Sequence, residues 1–263
     1  MSKPKNWPAT LPYLKAPLYG KDISPSHIQF LRTKPPNESS AIDQVPIAPA
    51  SSPATETPCP RVKIQAITDR NHPAYGQFGL FAAQNIAPGE LILAYLGRLH
   101  GRATTSEESD YDLWLDREMD VAVDAAREGN EGRFVNDYRG IEGKERANAR
   151  FGNVFCERWG EVCVGVWAVG GGKAKDDGKK KMKKKSEGGI KKGEEILVSY
   201  GKGFWEERRK DGDGEGDGIP PGVPWRHPTS PYAGPLPNDT GKEQLKTNNN
   251  KFNKIQQRAR IKF

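Results

Sequence analysis

From residue 61 to residue 200 the chain is written in short apolar bursts separated by turn-forming residues. Val62, Ile64 and Ala66 alternate with Lys63 and Gln65, the period-two pattern of a half-buried strand. Tyr75-Gly76-Gln77-Phe78-Gly79-Leu80-Phe81-Ala82 is a glycine turn feeding a second strand, and Leu91–Leu96 is a third. Tyr111, Leu113 and Leu115 predict another, followed across a turn at Arg117–Asp120 by Val121–Val123. Glu128–Phe134 predicts one helical turn, and Phe151–Phe155, Val162–Val169 and Ile196–Tyr200 predict the remaining strands. Many short strands with little helix indicate a β-rich α+β fold of several small sheets.

Outside that region the pattern weakens. Residues 1–60 form an extension rich in Pro, Ser and Thr. Its Trp7, Leu11, Tyr13, Leu14, Leu18 and Tyr19 are apolar enough to dock on a core. Ser24-Pro25 reads as the N-cap and first position of a short helix over Ser26–Arg32, and Lys34 to Pro60 reads as linker. Within the 61–205 unit, residues 170–189 hold the run Lys179-Lys180-Lys181-Met182-Lys183-Lys184-Lys185 flanked by glycines. Like charges that dense repel and stay solvated, which predicts a disordered insertion. The alternative is a nuclear-localisation or nucleic-acid patch. Residues 206–263 read as a basic tail, disordered or, at its end, a short amphipathic helix.

Composition sharpens this division. Hydrophobic residues make up 35% and mean hydropathy is −0.79, so the core must be concentrated in the middle. No apolar run approaches the roughly 18–20 residues that span a bilayer, and the N-terminus has no apolar signal-like segment. Three cysteines with no CxxC pair suggest a reducing compartment and argue against structural zinc. The net charge is +7. Between residues 61 and 169, 13 Lys/Arg face 17 Asp/Glu, a net −4, while the remainder carries 28 against 17, a net +11. An acidic core with basic appendages suits a cationic partner better than a phosphate backbone. There is no GxxxxGK[ST], HExxH or GxSxG, and the four histidines are scattered, so phosphate-loop, metalloprotease and serine-hydrolase chemistry find no support.

One phrase occurs twice. Ile190-Lys191-Lys192-Gly193-Glu194-Glu195-Ile196-Leu197-Val198-Ser199-Tyr200-Gly201 repeats the design of Ile86-Ala87-Pro88-Gly89-Glu90-Leu91-Ile92-Leu93-Ala94-Tyr95-Leu96-Gly97: a turn, an apolar strand, and a tyrosine near a glycine. Between them stand Val123-Asp124-Ala125, Gly129-Asn130, Arg133-Phe134-Val135-Asn136 and Asn148. Taken in order, from the Gly76–Ala82 motif to Phe204-Trp205, these pieces resemble the SET-domain protein lysine methyltransferases. The resemblance covers about residues 61–205. It implies a fold of small sheets with a knot-like C-terminal crossing, S-adenosylmethionine (AdoMet) as methyl donor, and a protein lysine as acceptor, a histone tail being one candidate. The setting it implies is nuclear or cytoplasmic, with nuclear chromatin favoured.

The same resemblance implies site residues. Tyr200 is the catalytic tyrosine and Tyr95 a second channel aromatic. Phe78, Gly79, Arg133, Phe134, Asn136 and Asp137 are cofactor contacts, with Trp205 as a lid over the adenine. Phe151 and Val198 line the substrate channel near the target nitrogen. Core packing is the alternative reading for each aromatic. Three departures stand out: Asp137 replaces the usual histidine, Gln77 replaces the usual first glycine, and no cysteine cluster follows Tyr200. The first motivates an alternative, a catalytically silent SET-like module that binds a chromatin partner. A basic nucleic-acid-binding protein acting through the Lys-rich insertion is the other.

Overall fold

The computed structural model describes residues 3–36, 45–104, 109–170 and 188–201. The Lys-rich run, Phe204, Trp205 and the 206–263 tail lie outside the described residues. In chain order the elements are β1 (Leu18–Tyr19), α1 (Pro25–Arg32), β2 (Ile47–Ala48), β3 (Val62–Ala66), β4 (Phe78–Ala82), β5 (Leu91–Tyr95) and β6 (Arg98–His100). Then come β7 (Asp112–Asp116), β8 (Val121–Asp124), β9 (Asn136–Asp137), β10 (Ala149–Cys156), β11 (Glu161–Ala168) and β12 (Leu197–Val198). They form two four-stranded sheets, β1-β6-β8-β7 and β2-β10-β11-β5, and two two-stranded ones, β3-β4 and β12-β9. This is the β-rich arrangement of small sheets that the sequence predicts.

The repeated phrase folds as a matched pair. In each turn a glycine adopts positive φ, Gly89 at +79° and Gly193 at +87°, a region only glycine enters without steric cost. The glutamate that follows closes each turn with its side chain: Glu90 accepts from the Ala87 N–H, and Glu194 from the Lys191 N–H. The two units meet where Ile86 and Ile190 exchange backbone hydrogen bonds.

Sheet β2-β10-β11-β5 is apolar on both faces. One face joins the main core with Ile92, Leu93, Val164 and Val166. The other packs Leu91, Ala94, Val154, Cys156 and Cys163 beneath Ala48 and Ala54. Residues 45–60, expected as linker, therefore cover a sheet face. β2 adds a parallel strand to β10, and the 3₁₀ turn Pro53–Thr55 packs on β5. The buried residues on this face, Ala48 and Ala54, are small, and Val45 and Ile47 are the only large aliphatic residues in the stretch, too few to mark it from sequence. Residues 37–44 of the same stretch lie outside the described residues.

The N-terminal segment also belongs to the core. Ser24 caps α1 by accepting from the His27 N–H, while His27 Nδ1 accepts from the Ser24 N–H, a capping box in which histidine takes the place of glutamate. Trp7 stacks edge-on against Phe134 at 5.7 Å between centroids, and β1 pairs with β6. Leu31 is fully buried, on a helix that packs over β11. Replacing Leu31 by Ala should cost about 2–5 kcal/mol of stability, the usual range for a core leucine, read by urea denaturation. A detachable extension would leave the midpoint unmoved.

Candidate active site

The site is assembled by the closing segment, residues 193–200. Its first half runs beside β4: the Ala82 N–H donates to the Glu194 carbonyl, and the Ile196 N–H to that of Leu80. Its second half is β12, which pairs in parallel with β9, Leu197 opposite Asn136 and Val198 opposite Asp137. On the other side Asn148 acts as a surrogate strand. Its Oδ1 accepts from the Leu197 N–H, its Nδ2 donates to the Glu195 carbonyl, and its N–H donates to the Leu197 carbonyl. The chain thus passes between the two ends of the 137–148 loop, the knot-like crossing that the resemblance implies.

The crossing brings distant residues together. Asn136 donates through Nδ2 to Glu195 Oε1 at 2.8 Å and, at 3.5 Å, to the Phe78 carbonyl. A carboxylate only accepts, so the amide orientation follows from chemistry. Asn136 Oδ1 has no hydrogen-bond partner among the described residues. Gly79 lies against this pair: a Cβ there would stand 2.5 Å from Glu195 Oε1 and 3.1 Å from Asn136 Nδ2. Any side chain at position 79 would push the pair apart.

Asp137 is bound by neighbouring protein groups. Its Oδ2 accepts from the Tyr200 N–H at 2.6 Å and from Arg139 Nη1 at 2.9 Å, and its Oδ1 from the Arg139 N–H at 2.8 Å. Arg139 also donates to Ser199 Oγ. The carboxylate in the place of the usual histidine therefore clips β9 to the residues just after β12. Tyr200 is held at both ends, since its hydroxyl donates to the Val135 carbonyl at 2.6 Å.

Tyr95 is buried and donates its hydroxyl to the Tyr111 carbonyl. Burial raises its pKa well above the ordinary tyrosine value, with the Asp124 carboxylate adding to the effect, so it remains a donor at all physiological pH. Phe151 packs edge-on against Tyr95 at 6.0 Å, and Val198 is fully buried in the same core. Arg133 donates through Nε to the Ala125 carbonyl and lays its guanidinium 4.3 Å from the Tyr111 ring centroid. Phe78 and Phe134 meet edge-on at 6.3 Å. Trp205 lies outside the described residues.

Other polar anchors have no expected role in the sequence reading. Asn130 ties β5 to the 3₁₀ turn Glu131–Phe134, accepting from the Leu96 and Gly132 N–H groups and donating to the Ala94 carbonyl. Glu131 is buried, and that burial raises its carboxyl pKa. Tyr13 OH and the Cys59 N–H hydrogen-bond its two oxygens and offset the cost. The Gly129-Asn130-Glu131 run is visible in sequence, but apart from the local Gly132 N–H the side-chain partners of Asn130 and Glu131 lie more than 30 residues away. Among the described residues no cluster of His, Cys, Asp and Glu has the makeup of a metal site, and no helix is long and apolar enough to cross a membrane.

Asp137→Asn leaves one oxygen for three N–H donors. It should cost about 1–3 kcal/mol in chemical denaturation and speed proteolysis after Val198, because the clip on Tyr200 is lost. Unchanged stability and cleavage would show that the clip contributes nothing.

Residues 77–201 match the family model of the SET domain. None of the curated proteins matches the chain. Similar solved structures include the crystal structure of the Chaetomium thermophilum polycomb repressive complex 2, at 22% identity and a TM-score of 0.35, covering 53% of this chain and 15% of that one. Another is ctPRC2 in an autoinhibited conformation bound to S-adenosylmethionine, at 24% identity and a TM-score of 0.36, covering 56% and 17%. The chain spans only a small part of those much longer relatives, and the assignment rests on the family match and the crossing described above. Residues 77–201 of the chain are thus its SET-domain match.

Proposed function

We propose that this protein is an AdoMet-dependent protein-lysine N-methyltransferase. The observation that carries the reading is the convergence of Asn136, Tyr200 and the Phe78–Gly79 edge on one threaded segment, in a chain whose residues 77–201 match the SET domain. The residues present fit the cofactor. Asn136 offers an acceptor, Oδ1, that has no partner among the described residues and lies next to the Glu195 carboxylate, a setting for the ammonium end of an amino-acid moiety. Phe78 and Phe134 offer aromatic surface, and Arg133 a cation, on the same side chain cluster. Bound AdoMet supplies an electrophilic methyl group on a sulfonium.

The protein's part is placement. Methyl transfer to an amine is an in-line displacement, so most of the acceleration comes from alignment and from a neutral, desolvated lysine. Tyr200 spends its proton on the Val135 carbonyl, which leaves the phenolic lone pairs to accept polarised C–H groups, each contact worth about 0.5–1 kcal/mol. Tyr95 and Phe151 supply aromatic wall for the lysine stem. Asp137 serves by holding Tyr200, so its departure from the family pattern has a structural task. Trp205 as adenine lid, a histone tail as the first substrate to assay, and a nuclear setting supported by the basic appendages complete the proposal.

Tyr200→Phe removes one hydroxyl and no aromatic volume. With labelled AdoMet and a pool of histones and cell extract, wild-type protein should transfer label and Tyr200→Phe should transfer almost none while still binding AdoMet by calorimetry. Full activity in the variant would remove Tyr200 from the mechanism. An inactive wild type that still binds partners would favour the silent module.

Neither Phe151 nor Val198 carries a hydroxyl that would hold a blocking water beside the target nitrogen. The product should therefore reach di- or trimethyllysine, read by mass spectrometry at long reaction times. Strict monomethylation would show that other residues bound the pocket.

A further inference from the structure

The geometry points to His72 and Glu195 as positioning residues for the cofactor, acting through Asn136; the inference rests on the AdoMet reading above. His72 sits in the β3–β4 hairpin loop, far in sequence from the closing segment. Its Nδ1 accepts from the Ala74 N–H at 2.9 Å, which places the ring proton on Nε2. Nε2 stands 3.0 Å from Glu195 Oε2 and donates to it. The side chains of His72 and Glu195 are 7% and 10% exposed, so the bond is sheltered from water. The contact is thus a hydrogen bond from the Nε2 N–H to the Glu195 side chain.

The second carboxylate oxygen carries the argument to the ligand. Glu195 Oε1 accepts from Asn136 Nδ2. With its donor spent inside the protein, Asn136 presents only an acceptor outward. A free asparagine would offer either face, and half its orientations would point N–H groups at an ammonium. The relay from His72 through Glu195 selects one orientation before the ligand arrives, and it keeps a carboxylate close to the cationic ligand. Gly79 is part of the same device, because any Cβ there would collide with Glu195 Oε1. The relay also joins three parts of the chain: the hairpin loop, the strand after the 3₁₀ turn, and the closing segment.

The test uses full-length protein and AdoMet, with steady-state kinetics on the active substrate pool and calorimetry on each variant. Glu195→Gln cannot accept from both Asn136 and His72, and His72→Leu removes the donor. Both should raise the KM and Kd for AdoMet about tenfold or more, with kcat within about threefold. His72→Gln keeps an N–H near the position of Nε2 and should restore KM to within about threefold of wild type. If Glu195→Gln does not fold, the contrast between His72→Leu and His72→Gln decides, since loss of general packing would affect KM and kcat together and would not be rescued by glutamine. Wild-type affinity in His72→Leu, or equal loss in both His72 variants, overturns the relay alone. Wild-type protein that does not bind AdoMet overturns the relay and the methyltransferase reading together.

Discussion

The rest of the structure depends on the passage of residues 193–200 between the ends of the 137–148 loop. A buried backbone must find partners for its N–H and C=O groups, and a two-residue strand has few ways to do so. Here β4 satisfies the first half of the segment, β9 one side of the second half, and Asn148 the other. The amide of Asn148 reproduces the donor and acceptor of a peptide group, so the closing strand has partners on both sides where no ordinary strand lies. Once the segment is threaded, the positions of Glu195 and Tyr200 follow from their register on it.

Buried and half-buried carboxylates then fix the relation of remote parts. A carboxylate withdrawn from water needs several hydrogen bonds to be tolerated. Glu131 collects Tyr13 OH and the Cys59 N–H, which seats the N-terminal segment. Asp137 collects Arg139 and the Tyr200 N–H, which seats the end of the closing segment. Glu195 collects His72 and Asn136, which seats the hairpin loop against the crossing. Asp124, whose pKa burial raises, collects the Ser109 hydroxyl and the Ala126 N–H beside Tyr95. Of these acids, Asp137 and Glu195 hydrogen-bond directly to residues with a proposed function, Tyr200 and Asn136.

Both sheet faces being covered explains the burial of the central strands. β5 is buried at every residue, because the main core lies on one face and residues 45–60 on the other. The same coverage makes the N-terminal segment part of the folding unit. Trp7, Tyr13 and Leu31 pack where a smaller domain would leave Phe134 and β11 exposed.

Much was legible in the sequence because local rules set it. Period-two alternation marks β3, the Lys-Gly-Glu and Pro-Gly-Glu turns mark the two repeated units, and Ser24-Pro25 marks the start of α1. The ordered motifs mark the family and bring Tyr200, Asn136 and Gly79 forward as candidates. Tertiary structure alone decided the short pairings β1, β2, β6 and β9, whose two or three residues carry no periodicity and form only because a partner strand is already there. It also decided what the polar residues do. Asp137 stands in the sequence only as a departure from a motif, and the fold places Arg139 and Tyr200 on its oxygens; His72 looks solitary until Glu195, 123 residues away, is seen on its Nε2. A hydrogen bond between remote residues leaves no trace in spacing, because its partners are chosen by the path of the chain through space and not by their separation along it.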